Sequence, residues 1–177
     1  MASQLRVDKI VPIDGAPATG GGGIVQIVHG EKSGEVTSTL TSFVDTGLTA
    51  TITPKFSTSK ILVVIDQPYH MSRDTDTCAG GFKVLRGATE IATPNGTGAS
   101  GGTSPYACQY GATGSTAMSM VDRWSWMILD SPSTTSATIY KVQMACASSA
   151  NSGRIRAQYT GTSGTQKAHI ALMEVSV

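Results

Sequence analysis

Lys60-Ile61-Leu62-Val63-Val64-Ile65-Asp66 is the stretch whose reading decides the fold. Its aliphatic residues are mostly β-branched and run without interruption between Pro54 and Pro68, so both phases of a period-two pattern are apolar. A short apolar run bounded by prolines is a buried strand covered on both faces, and therefore a central one.

Working outward, residues 35–43 read as a Thr-rich strand and 48–53 as another, while 81–85 and 89–92 flank Arg86, Gly87 and Ala88 at the spacing of a hairpin with Gly in its turn. Met118, Met120, Trp124, Trp126 and Ile128 share one alternating phase, broken by Asp122. Tyr140, Val142, Met144 and Cys146 share another against Lys141, Gln143 and Ala145. Both stretches read as half-buried strands, with Trp124, Trp126, Tyr140, Val142 and Met144 as the side chains of the core or of a subunit interface. Residues 154–159 and 169–177 supply two more strands. The last is apolar in both phases at Ile170, Leu172, Met173 and Val175, which predicts a closing strand buried on both sides. About nine or ten strands with turn signals between them, and no amphipathic helix of three turns, predict an all-β fold: an antiparallel β-sandwich (jelly roll) with an extended N-terminal arm.

Composition agrees. A chain of 177 residues holds one sizeable core. Hydrophobic residues at 40% are too many for a disordered chain, and the 20 glycines lack the three-residue period of collagen. With 14% charged residues and a formal net charge of +1, nothing marks a nucleic-acid or anionic-membrane partner. No run approaches a membrane span and the first ten residues alternate charge with apolar side chains, so the chain is expected to be made in the cytosol without a signal peptide and to stay soluble. Cys78, Cys108 and Cys146 are odd in number and widely spaced, which fits buried free thiols rather than a disulfide framework or a zinc knot.

The first 23 residues form an arm and hinge: residues 3–12 (SQLRVDKIVP) lead through Pro12 and Pro17 to the four glycines at 20–23. The jelly-roll domain is expected over 24–177. Ile24 to Val28 (IVQIV) follows at once, a strand too apolar to remain a bare edge, which must pair at home or on a neighbouring chain. Leu5, Val7, Ile10, Val11, Ile24, Val25 and Ile27 are the candidate anchor, suited to strand addition because backbone hydrogen bonds hold while alternate side chains fill pockets. Residues 93–116 are mostly Gly, Ser, Thr, Pro and Asn, a long plain loop that a compact domain rarely carries without a use. Asp74, Asp76, Tyr106 and Tyr110 are the candidate contacts of the exposed loops.

Several short motifs fail on context. Gly98-Ala99-Ser100-Gly101-Gly102 matches a hydrolase nucleophile elbow and Gly96, Gly98 and Gly101 a dinucleotide fingerprint, but no helix follows either. Ser57-Thr58-Ser59-Lys60 has the acylase spacing yet bridges two strands. Asp74 and Asp76 begin like a calcium loop whose later positions, Cys78, Ala79 and Leu85, are wrong. Asn95-Gly96-Thr97 reads as a turn. His29, His70 and His169 lie at no metal-ligand spacing, so only the fold or a threefold axis would gather them. No catalytic residue, cofactor or metal is predicted.

The opening SQLRVDKIVPIDG, together with LTATITPKFSTSKILV, LDSPSTTSATIYKVQMAC and the closing AHIALMEV, resembles successive blocks of a module in tail-fibre and other virion proteins of cyanophages and related tailed phages. The order of blocks also resembles the trimeric jelly rolls of complement-type and tumour-necrosis-factor-like heads. The resemblance implies a non-enzymatic virion protein that forms a homotrimer, is anchored by its arm to another virion structural protein (tail, baseplate or major capsid protein), and as a tail-fibre component or fibre tip presents its loops to a host-surface glycan. The alternatives it leaves open are a capsid decoration protein that stabilises the head and a glycan-binding or depolymerising module.

Overall fold

The computed structural model describes residues 23–75, 78–92, 96–97, 103–104, 108–110, 117–161 and 166–176. The strands are β1 (Ile24–Lys32), β2 (Val36–Ser38), β3 (Val44–Ile52), β4 (Lys60–Arg73), β5 (Cys78–Arg86), β6 (Thr89–Ala92), β7 (Gly96–Thr97), β8 (Thr103–Ser104), β9 (Cys108–Tyr110), β10 (Met118–Asp130), β11 (Thr138–Cys146), β12 (Arg154–Ala157) and β13 (Ala168–Val175). A single 3-10 turn at Ala150–Ser152 is the one helical element among the described residues.

Two antiparallel sheets face one another. In the first, β4 carries β10 along one whole edge, from Ile61 opposite Asp130 to Arg73 opposite Met118. Its other edge is shared: β13 pairs with residues 60–66 and β12 with 69–72. Outside these lie β1 on β13 and β2 on β12. In the second sheet β3, β11 and β5 run side by side, with β6 and β9 dividing the far edge of β5. Taking the long strands alone, the orders are β1-β13-β4-β10 and β3-β11-β5-β6. Along these long strands the chain changes sheet from β1 to β3, β3 to β4, β4 to β5, β6 to β10, β10 to β11 and β11 to β13. That crossing pattern makes the sandwich a jelly roll.

The KILVVID strand is central, as its two-sided apolar pattern requires, but it does not stop at Pro68. The Pro68 carbonyl accepts the Gln158 N–H at 3.0 Å. In an antiparallel ladder a residue's carbonyl and amide point to the same side, so the amide that Pro68 lacks would lie in the gap where β13 ends and β12 begins. The strand therefore passes a proline without losing a ladder bond. The Thr-rich segment at 35–43 shortens to β2 for a related local reason: the Ser38 hydroxyl accepts the Leu40 N–H and turns the chain away.

The core forms where the inward phases meet. Leu48, Ile52, Ile61, Val63, Ile65, Phe82, Val84, Ile155, Ile170 and Leu172 are buried, and so are Tyr140, Val142 and Met144, which belong to this interior and not to a subunit interface. Trp124 and Trp126 also point inward, at the less covered side of the sandwich. Trp124 stacks on Phe82 at 5.0 Å and meets Trp126 edge-on at 5.3 Å. Cys78 and Cys146 are buried. The hairpin turn falls at Gly87, whose φ of +59° suits glycine. Beside it Arg86 donates to both Asp130 carboxylate oxygens at 2.8 Å, and the Tyr140 hydroxyl donates to Asp130 Oδ2 at 2.7 Å. This network ties the end of β10 to the opposite sheet.

One open choice is resolved and one expectation is corrected. Ile24, Val25 and Ile27, named as candidate anchor residues in a strand that pairs either at home or on a neighbour, lie in β1, which pairs with β13 of its own chain from Ile24 opposite Val175 to Lys32 opposite Ala168. The N–H and C=O groups of an apolar strand need partners, and β13 lies within the same chain to supply them. The closing strand is buried on one face only: Ala168, Ile170, Leu172 and Glu174 are covered, while His169, Ala171, Met173 and Val175 remain half exposed. The anchor residues Leu5, Val7, Ile10 and Val11, and the loop residues Asp76 and Tyr106, lie outside the described residues, as does the Tyr110 side chain.

Candidate interaction face

The outer face of the first sheet is built by the strands that looked apolar in both phases. Register aligns their outward side chains in rows. Ile27 faces Met173, Met173 faces Leu62 and Leu62 faces Leu129, one apolar residue from each of β1, β13, β4 and β10. The next row is His29, Ala171, Val64 and Met127. The third is Glu31, His169, Asp66 and Ser125. Beyond it, Arg123 Nε donates to Asp66 at 2.9 Å, with a second hydrogen bond from Arg123 Nη2. An apolar field thus crosses four strands and ends at a charged border.

The field is open to solvent in the single chain. Ile27 is 59% exposed, Met127 66% and Leu129 55%, whereas Val121, 52% exposed, lies beyond the charged border on β10. Burying side chains of this size is worth about 1.5–3 kcal/mol each relative to leaving them in water, which makes a contiguous exposed group of them a signal and not an accident.

The second sheet provides the contrast. Its outward residues include Asp45, Thr49, Thr51, Lys83, Lys141 and Gln143. Lys141 and Gln143 both donate to Asp45, at 3.0 and 2.6 Å. Those bonds hold the Asp45 carboxyl below its usual range despite the opposing effect of partial burial. Among its described side chains Ile139 is the one large exposed hydrophobe. One sheet is therefore finished for water and the other is not.

Strand edges sharpen the asymmetry. Among the described residues β10 has a ladder partner on one side only, β4, and β1 has β13 alone. Long apolar edges of this kind are ordinarily shielded in proteins that remain single chains.

The sequence-based site residues fall differently. Asp74 is exposed in the turn after β4, its N–H donating to the Asn151 carbonyl at 2.8 Å. It lies at the end of β4 remote from the apolar rows. No group of three His, Cys, Asp or Glu side chains is assembled at metal-binding distance among the described residues. The fold nevertheless brings His29 and His169 together, with His29 Nε2 and His169 Nδ1 3.2 Å apart. His70 packs flat on Tyr159 at 4.3 Å and meets the Ser119 hydroxyl at 2.9 Å. Sequence reasoning missed the apolar face as a site although its signal was present: WMIL at 126–129, KILVVID and the closing strand are each apolar in both phases, one phase more than a sandwich interior needs.

Comparison with known proteins adds little to this geometry. No protein-family model matches the chain, and no curated protein does. Among solved structures, the chain is similar to a structure of infectious bursal disease virus, Gt strain, with 9% identity and a TM-score of 0.30 over the whole of this chain and 42% of that one. A second likeness is to the Gx strain, with 7% identity and a TM-score of 0.32 over 99% of this chain and 44% of that one. The chain spans less than half the length of either. No helix among the described residues is long and apolar enough to cross a membrane.

Proposed function

We propose that this chain is a structural, non-catalytic module of a tailed-phage virion, working as a homotrimer that self-associates through the outer face of the β1-β13-β4-β10 sheet. The observation that carries the reading is the apolar field of Ile27, Met173, Leu62, Leu129, Val64 and Met127 on one sheet, against a polar outer face on the other. A flat apolar face bounded by two single-sided edge strands suits a second copy of the same chain, because every copy carries the same unmet need. Closed point-group assembly then satisfies all copies at once. The number three comes from the resemblance of the sequence blocks to trimeric jelly rolls.

In this reading residues 1–23 reach from the assembled body to another virion protein. The turn at Asp74, at the opposite end of β4 from Lys60, faces a host-surface glycan, and three copies on one rigid body turn a weak contact into avid binding. Sedimentation of the purified protein with matched host cells and with phage capsids lacking it tests the placement. Binding to cells supports a fibre component. Binding to capsids alone contradicts that placement in favour of head decoration.

A further inference from the structure

We propose that His29 and His169 form a cross-strand site for a zinc-class transition-metal dication, with Glu31 as the third donor. All three project from the same face of paired strands. Glu31 stands directly opposite His169, and His29 is one step along β1 on the same side. The Gly30–Ile170 pairing between them belongs to an unbroken ladder, so the backbone positions of the donors are set before any ion arrives.

The spacing of the two nitrogens is the decisive feature. His29 Nε2 and His169 Nδ1 are 3.2 Å apart. Two imidazole nitrogens bound to one zinc ion at about 2.0–2.1 Å each, with a tetrahedral angle between them, stand roughly 3.3 Å apart. In the metal-free protein one ring donates its N–H to the lone pair of the other. When an ion binds, the donor ring moves that proton to its other nitrogen, and both rings turn so that their lone pairs converge on the ion beside the line between the two nitrogens. Glu31 divides its carboxylate: Oε1 is held by Lys167 at 2.7 Å, while Oε2 lies 3.9 Å from His169 Nδ1. Oε2 joins the ion by side-chain rotation, and the Lys167 contact stays with Oε1.

Donor chemistry selects the ion. Two imidazoles and a carboxylate suit zinc, nickel or copper, whereas calcium and magnesium prefer sites made of oxygen alone. Water completes the coordination in a single chain. All donors of the site come from one chain.

Isothermal titration of zinc chloride into the full chain at pH 7.5, in a non-coordinating buffer, tests the assignment. One ion per chain is expected, with calcium chloride giving no saturable heat. His29→Ala and His169→Ala should each weaken binding by about tenfold or more, because even second-sphere changes cost that much, and Glu31→Gln should weaken it less. All three replaced side chains are partly or fully exposed, so thermal melts matching the parent will establish that the variants fold. Absence of saturable zinc binding, or zinc binding that survives both histidine replacements, would overturn the proposal.

Discussion

At the scale of single residues, polar groups fix the ends of the sandwich while apolar ones fill it. Asp130 is a carboxylate with three hydrogen bonds from Arg86 and Tyr140, and its side chain is only 10% exposed. Asp130→Ala leaves the buried Tyr140 hydroxyl without an acceptor and the Arg86 guanidinium without its carboxylate, with only the Ser131 carbonyl still accepting from it at 3.2 Å, so urea unfolding should show a loss of about 2–4 kcal/mol. His70 presents a different electrostatic problem. Burial holds its pKa below the usual value, with the Arg156 and Arg154 guanidiniums acting the same way and the Glu35 carboxylate opposing them. Its Nδ1 is buried without a partner. The folded state therefore takes up a proton less readily than the unfolded chain. Stability from this group is present above the unfolded value, near pH 6.5, and is lost as pH falls below it. His70→Asn should flatten the decline in melting temperature between about pH 6.5 and 5 relative to the parent. None of these partnerships was legible in the sequence. Asp130 and Arg86 are separated by 44 positions and His29 and His169 by 140, and composition alone does not say which distant side chains a fold will bring together.

At the scale of elements, the period-two phases of β4, β10 and β11 were readable because alternation is set by the strand itself. The hairpin of β5 and β6 was readable because a short loop needs a left-handed residue such as Gly87. Pairing between distant strands was not. The home partner of β1 is the last strand of the fold, and β1 also crosses closely over β3 at Gly30. A methyl group on Gly30 would collide with the Thr49 carbonyl and lie 2.9 Å from Ile170 Cγ2. Gly30→Ala should therefore separate β1 from the sandwich, lowering stability by about 1–3 kcal/mol and speeding amide exchange in β1 more than in β11. Equal exchange in both strands would mean that the neighbours absorb the methyl without moving β1.

At the scale of the whole molecule, the two sheets tell opposite stories about water. The β3-β11-β5-β6 sheet closes its outer surface with ion pairs and hydroxyls, while the β1-β13-β4-β10 sheet leaves Ile27, Met127 and Leu129 open. The strands apolar in both phases already carried that message. What they did not reveal was whether the second apolar phase met another layer of the same chain or another copy, since both satisfy the same pattern. The most direct test is analytical ultracentrifugation of the parent chain beside the double variant Met127→Lys, Leu129→Lys. These side chains contribute little to the interior of one chain, so the variant should retain its fold by circular dichroism. The account predicts a parent mass three times that of the 18.3-kDa chain and a monomeric double variant. A parent that sediments as a monomer, or a double variant that remains trimeric, would contradict it.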